Sequence, residues 1–256
     1  MATLAVHAPS RVRTWVSAIL FALTGLALVV PFEAAANFAH ALTGGEDAAL
    51  HRMHELAITS NLLLFVAAGL LGSVVGAARR PALAAMAGIG TVALTAFLVA
   101  IRLPDPAAWA TLALIAIAIA LHPARREVFG AGARPSGMIA AAAAGVGAIF
   151  LTNAAQEIIH QISAAGTSDP HAAVHHYFAE ATFGIALTGI AFMSALRIAG
   201  YRITGWIAGA AAALYGAASL VYAGTASAFS APVAVLAIIA GAGLVTAVEW
   251  QARRDT

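Results

Sequence analysis

Residues 137–160 read G-M-I-A-A-A-A-A-G-V-G-A-I-F-L-T-N-A-A-Q-E-I-I-H. No charged side chain occurs from Gly137 to Gln156, and then Glu157 and His160 appear at the far end. An uncharged, mostly apolar stretch of about 20 residues is what a helix needs to cross the hydrocarbon core of a bilayer. A helix that crosses lipid and ends on Asn153, Glu157 and His160 places a polar stripe near one membrane surface. The same pattern recurs along the chain, at about residues 15–40, 55–77, 82–101, 106–122, 137–161, 177–197, 203–224 and 230–249. The expected fold is therefore an all-α integral membrane protein of about eight transmembrane helices. The first apolar run is read as a true helix and not as a cleaved leader.

Composition agrees. The 256 residues are 62% hydrophobic and only 9% charged, with a mean hydropathy of +0.90. Soluble domains carry about 25% charged residues, so lipid must cover most of this surface. Cysteine is absent, which excludes disulfides, thiolate metal sites and cysteine nucleophiles. Lysine is absent too, so no Schiff-base cofactor can be attached. The basic pI comes from loop arginines, not from a nucleic-acid surface.

Those arginines set the expected orientation. Arg11, Arg13, Arg79, Arg80, Arg125, Arg126, Arg134, Arg197, Arg202, Arg253 and Arg254 fall on one side of an eight-helix chain, and only Arg52 and Arg102 on the other. The arginine-rich side is expected to be cytoplasmic, with both termini there, as in a bacterial inner or plasma membrane. The histidines sort oppositely. His40, His51, His54, His160, His171, His175 and His176 all lie in the two outer segments, between helices 1 and 2 and between helices 5 and 6.

Four helices, a cytoplasmic linker and four more helices suggest two parallel repeats, 1–122 and 137–256, joined by 123–136. The end of helix 1 reads P-F-E-A-A-A-N-F-A-H, with Glu33, Asn37 and His40, spaced four and then three. Helix 5 repeats that spacing with Asn153, Glu157 and His160. Helix 2 opens H-R-M-H-E, setting His51 four residues before Glu55, with His54 between. Helix 6 opens H-H-Y-F-A-E, from His175, setting His176 four residues before Glu180.

Residues four and seven apart share one helix face, so four polar stripes are expected to converge on one outer cavity. A carboxylate inside the membrane is costly and needs a partner. With no lysine and only Arg52 nearby, the expected partner is a proton, a protonated histidine or a metal ion. Carboxylates and imidazoles at helical spacing are how helical bundles hold metals. The donor set suits iron, copper, manganese or zinc. The candidate ligands are Glu33, His40, His51, His54, Glu55, Glu157, His160, His175, His176 and Glu180. Glu46, Asp47, Asp169 and His171 are assigned to solvated loops.

Three partial likenesses follow from these residues. The eight-helix, two-half plan resembles heme A synthase, whose fourth and eighth helices carry histidines that are absent from those helices here. H-x-x-x-H-H at His171, His175 and His176 looks like a histidine box of membrane desaturases and hydroxylases, which face the cytoplasm and come with further boxes this chain lacks. An acid or Asn followed by His, with a second His about a dozen residues on, is similar to the C subunit of particulate methane and ammonia monooxygenases at different spacings. None carries ligands or activity over to this chain.

The expected function is a metal-dependent oxidoreductase acting from the outer side on a small or lipid-soluble substrate. The alternatives are a divalent-metal or proton-coupled transporter, a b-heme electron carrier linked to quinone, and a non-catalytic assembly subunit. Beyond the lipid bilayer, the expected partners are copies of the chain or subunits of a membrane complex.

Overall fold

The computed structural model describes residues 11–29, 34–44, 51–76, 80–100, 106–130 and 133–256. Glu33, Glu46 and Asp47 lie outside them. All regular structure among the described residues is helical. The elements are α1 (Arg11–Val29), α2 (Ala34–Thr43), α3 (Arg52–Ser60), a π-helical segment (Asn61–Ala67), α4 (Ala68–Gly76), α5 (Pro81–Ala100) and α6 (Pro106–Leu121). Then come α7 (Arg125–Val128), α8 (Gly137–Ala164), α9 (Pro170–Ala173), α10 (His176–Ala195), α11 (Tyr201–Val221) and α12 (Ala231–Arg254).

Six of these helices are long and apolar enough to cross a membrane: Arg52–Val75, which runs through the π segment, and α5, α8, α10, α11 and α12. Trp109–Leu121 is a shorter apolar helix. Their outer faces carry large apolar side chains, among them Leu71, Val75, Ile159, Ile162, Val221 and Ile239. Water would penalise that exposure and a bilayer accommodates it. The chain is an integral membrane protein. The expected first span, 15–40, is two helices here, α1 and α2, with Pro31 in the sequence between them; proline removes a helix donor and clashes with the preceding turn.

Helix starts follow local chemistry. Pro81 and Pro106 open α5 and α6 at the position where a missing N–H costs nothing. Ser136 caps α8, its hydroxyl accepting from the Ile139 N–H.

Helix α1 packs on α4 and α6, and α5 packs on the same two. Helix α8 packs on α10 and α12, and α11 packs on the same two. The two groups meet where α10 and α11 lie against α3 and α5. Small residues permit the closest approach. A Cβ on Gly209 would stand 2.6 Å from the Gly241 carbonyl oxygen, so α11 and α12 touch backbone to backbone there.

The two ends of the bundle differ in chemistry. One end holds Arg80, Arg134, Arg197 and Arg202, with Arg197 paired to Asp255 and Arg202 to Glu249. The other end holds the starts of α3 and α10, the end of α8 and the loop between α11 and α12. The histidines gather there.

Candidate metal centre

The site is built by two helix starts that face each other. On one side His51 precedes α3 and His54 sits in its first turn. On the other, Asp169 caps the short helix α9, its carboxylate accepting from the N–H groups of His171 and Ala172 and from the Tyr177 hydroxyl. Partial desolvation works against the Asp169 carboxylate, but these donors hold its pKa below the usual aspartate value. His175 then adopts a left-handed conformation, φ 59°, which ends α9 and restarts the helix at His176. That break in phase decides which histidines meet. His171 and His176 turn inward together, and His175 turns aside, its Nδ1 3.4 Å from Gln161 Nε2.

Four imidazoles therefore converge. The ring centroids of His51 lie 5.2 Å from His171 and 4.6 Å from His176. Those of His54 lie 5.0 Å from each of the same two. His171 and His176 are 6.3 Å apart. Four imidazoles bound to one ion through nitrogens at about 2.0–2.1 Å would place their ring centroids on the order of 5 Å apart in a tetrahedron. The spacing fits. Among the described residues no three His, Asp or Glu side chains already stand in an ion-holding group, so seating an ion requires the rings to turn about their side-chain torsions.

Glu180 completes the cluster from one turn further along α10. Its Oε1 is 3.7 Å from His54 Nδ1, and both side chains are sealed from solvent. Neither Glu180 oxygen nor either His54 nitrogen has a hydrogen bond of good geometry, and Nδ1 of His51 and of His176 also lacks one. Buried polar atoms nearly always have partners. Together these nitrogen and carboxylate atoms form a donor set that could hold a cation.

Beneath the cluster lies an aromatic layer. Phe65, from the π segment, stacks on Phe183 at 5.7 Å, and Phe183 contacts Phe150 and Tyr215. Phe229 closes against Tyr215 at 4.9 Å. The Tyr215 hydroxyl donates to the Ser227 carbonyl at 3.0 Å, with Glu180 close by. This layer separates the histidines from the arginine end. Thr91 and Thr95 of α5 donate to carbonyls of their own helix.

A groove of about 630 Å³ opens beside the site. It runs along α8 and α12 and is lined by Asn153, Glu157, His160, Tyr177 and Ser227 among others. Glu157 is buried at its inner wall, 3.9 Å from His160 Nδ1 and within electrostatic reach of Glu180. His160 itself is exposed.

The expected ligands thus divide. His51, His54, His176 and Glu180 come together. Glu157 and His160 line the adjoining groove. His40 is exposed on α2, with no ring contact to the cluster. Glu55 is half-buried, with one carboxylate oxygen buried and without a hydrogen-bond partner. His175 is displaced by its left-handed turn. His171, assigned from sequence to a solvated loop, is buried and takes its place. The H-x-x-x-H-H motif held that signal, but helical phase would have paired His171 with His175.

Arg52 is buried beside the end of α2. Its guanidinium donates to the Ala41 and Gly44 carbonyls, at 3.1 and 2.6 Å, and lies 4.1 Å over the Tyr222 ring. It caps the end of α2.

Compared with known protein families, with characterised proteins and with solved structures, the chain finds no match, so the site's own geometry carries the functional reading.

Proposed function

We propose that this chain is a membrane metalloprotein in which His51, His54, His171 and His176, with Glu180, bind one first-row transition-metal ion on the outer side of the membrane. The observation that carries this reading is the set of four cross-helix ring separations between 4.6 and 5.2 Å beside a buried carboxylate. Nitrogen and oxygen donors without thiolate suit iron, copper(II), manganese or zinc. A carboxylate next to four neutral imidazoles offsets part of the ion's charge, which apolar surroundings require.

The activity we assign is that of a metal-dependent oxidoreductase. Its small or lipid-soluble substrate would enter by the groove of Asn153, Glu157 and His160, with Glu157 between groove and metal as the group able to carry a proton. A bound metal would supply Lewis-acid or redox chemistry. The aromatic layer and the apolar helices α5, α6 and α12 speak against a transport path, which would cross the midplane. The four rings press against one another, leaving no slot for a porphyrin between any pair.

The wider topology belongs to the same proposal. Eight spans arise if α1 with α2, and α6, also cross. The neighbour order α1–α4–α5–α6 and the order α8–α10–α11–α12 are both closed rings, which supports two parallel four-helix repeats. The arginine end would be cytoplasmic. Metal analysis of the detergent-purified protein tests the reading. One equivalent of metal that is lost in His54→Ala and His171→Ala, but kept in His40→Ala, is the expected result. Metal content that ignores the first two variants would overturn it.

A further inference from the structure

A second cavity lies at the opposite end of the molecule, remote from the histidines and independent of the function proposed for them. Its volume is about 990 Å³, and its wall is almost wholly apolar. It opens between α5 and α6 on one side and α10 on the other. Along α5 the lining residues are Ala85, Gly88, Ile89, Val92, Ala93 and Ala96, one continuous helix face. From Ala85 to Ala96 that face runs about 16 Å at 1.5 Å per residue, about half the 30 Å hydrocarbon thickness of a bilayer. The groove is therefore one leaflet deep. Small residues make its floor: Gly88, Ala93 and Gly189 leave room where larger side chains would fill it.

At the arginine end the groove is lined by Val128, Phe129, Pro135 and Leu196. Arg134 directly precedes Pro135, and Arg125 and Arg126 lie within a turn of Val128 and Phe129. All three arginines are exposed, and neither Arg126 nor Arg134 forms a salt bridge among the described residues. Glu127 is the one acid among them. An apolar slot of leaflet depth, with a cationic rim at the headgroup level, matches the two parts of one molecule.

We infer that this groove is a binding site for an anionic phospholipid of the arginine-side leaflet, with an acyl chain between α5, α6 and α10 and the phosphate among Arg125, Arg126 and Arg134. Basic pockets between transmembrane helices recognise acidic headgroups in this way. The apolar wall alone would take any lipid; the arginines make the choice of headgroup.

Native mass spectrometry of the full chain, delipidated and titrated with phosphatidylglycerol or with phosphatidylcholine of the same chain length, tests this. One tightly held phosphatidylglycerol is expected, bound about tenfold or more tightly than phosphatidylcholine. The Arg126→Gln/Arg134→Gln variant should lose that preference while still binding lipid. Ala96→Trp, or Gly189→Leu should the first fail to fold, fills the slot and should abolish binding of both lipids. Equal affinity for the two lipids in the wild type would overturn the inference. So would anionic-lipid binding that survives the filled groove, or a dimer that Ala96→Trp dissociates, since a second copy would then occupy the face.

Discussion

His54 and Glu180 face each other across the contact of α3 with α10, Nδ1 to Oε1 3.7 Å, and both side chains are closed to solvent. A carboxylate in that position is a burden to the empty protein and an asset to a metal-bound one. Glu180→Gln keeps the shape and removes the charge. The apo variant should be more stable than the apo wild type by about 1–3 kcal/mol, because a buried carboxylate is costlier to desolvate than a buried amide. Metal affinity should fall about 10- to 100-fold, the usual cost of losing a supporting carboxylate. Thermal unfolding with and without chelator measures the first, and competition against a chromogenic chelator the second. A variant that is less stable and binds metal normally would make Glu180 a structural residue.

Histidine substitutions should sort by ring position and not by sequence proximity. His171→Ala and His176→Ala should each remove stoichiometric metal. His175→Ala, between them in sequence, should lose only its contact with Gln161 and retain metal. Metal analysis of the three proteins side by side distinguishes this from a loose histidine-rich surface, in which all three would fall together.

Arg52 holds the end of α2 through two carbonyls and the Tyr222 ring, whose hydroxyl in turn donates to the Leu42 carbonyl at 2.6 Å. Arg52→Ala leaves those carbonyls bare and should destabilise the protein by about 2–4 kcal/mol. Arg52→Lys should recover only part, since an ammonium cannot span both carbonyls and the ring face together. Unfolding midpoints in detergent report both.

The contact of α11 with α12 depends on Gly209 and Gly241, each with its Cβ position against the other's carbonyl oxygen. Gly209→Leu should force the helices apart at a cost of about 1–3 kcal/mol, while Gly145→Leu, with open space around it, should cost little. Unfolding midpoints of the two variants check the contrast.

At the arginine end, the hydrogen bond from Arg197, joined by those from Tyr201 and Gln251, holds the Asp255 carboxyl below its usual pKa. The sign follows from the depressed folded value. The contribution is complete above the ordinary aspartate pKa and is lost as the pH falls through the lower folded one. The stability difference between wild type and Asp255→Asn should therefore be constant near neutrality and close only in acid. A difference that grows on acidification would contradict the ion pair.

Much of this was legible in the sequence because lipid imposes blunt rules. Long uncharged runs gave the helices, and the segregation of arginines from histidines gave the two ends. His54, His176 and Glu180 could be named because helical spacing holds inside α3 and α10, and His51 because it directly precedes α3. His171 could not, because its place depends on the left-handed turn at His175, a single backbone torsion that periodicity does not report. The place of Arg52 was not legible either, because it is set by helix-end carbonyls and an aromatic face that meet only in the fold. The π segment at Asn61–Ala67, which brings Phe65 onto Phe183, has no signature that hydropathy alone would reveal.

X-ray absorption at the metal edge of the purified protein tests the four-imidazole centre most directly. The expected result is a first shell dominated by three or four nitrogens at about 2.0–2.1 Å, with the outer-shell scattering of imidazole rings, reduced by one ring in His171→Ala. A protein without a metal edge after reconstitution, or a shell of oxygens unchanged in His171→Ala, would contradict it.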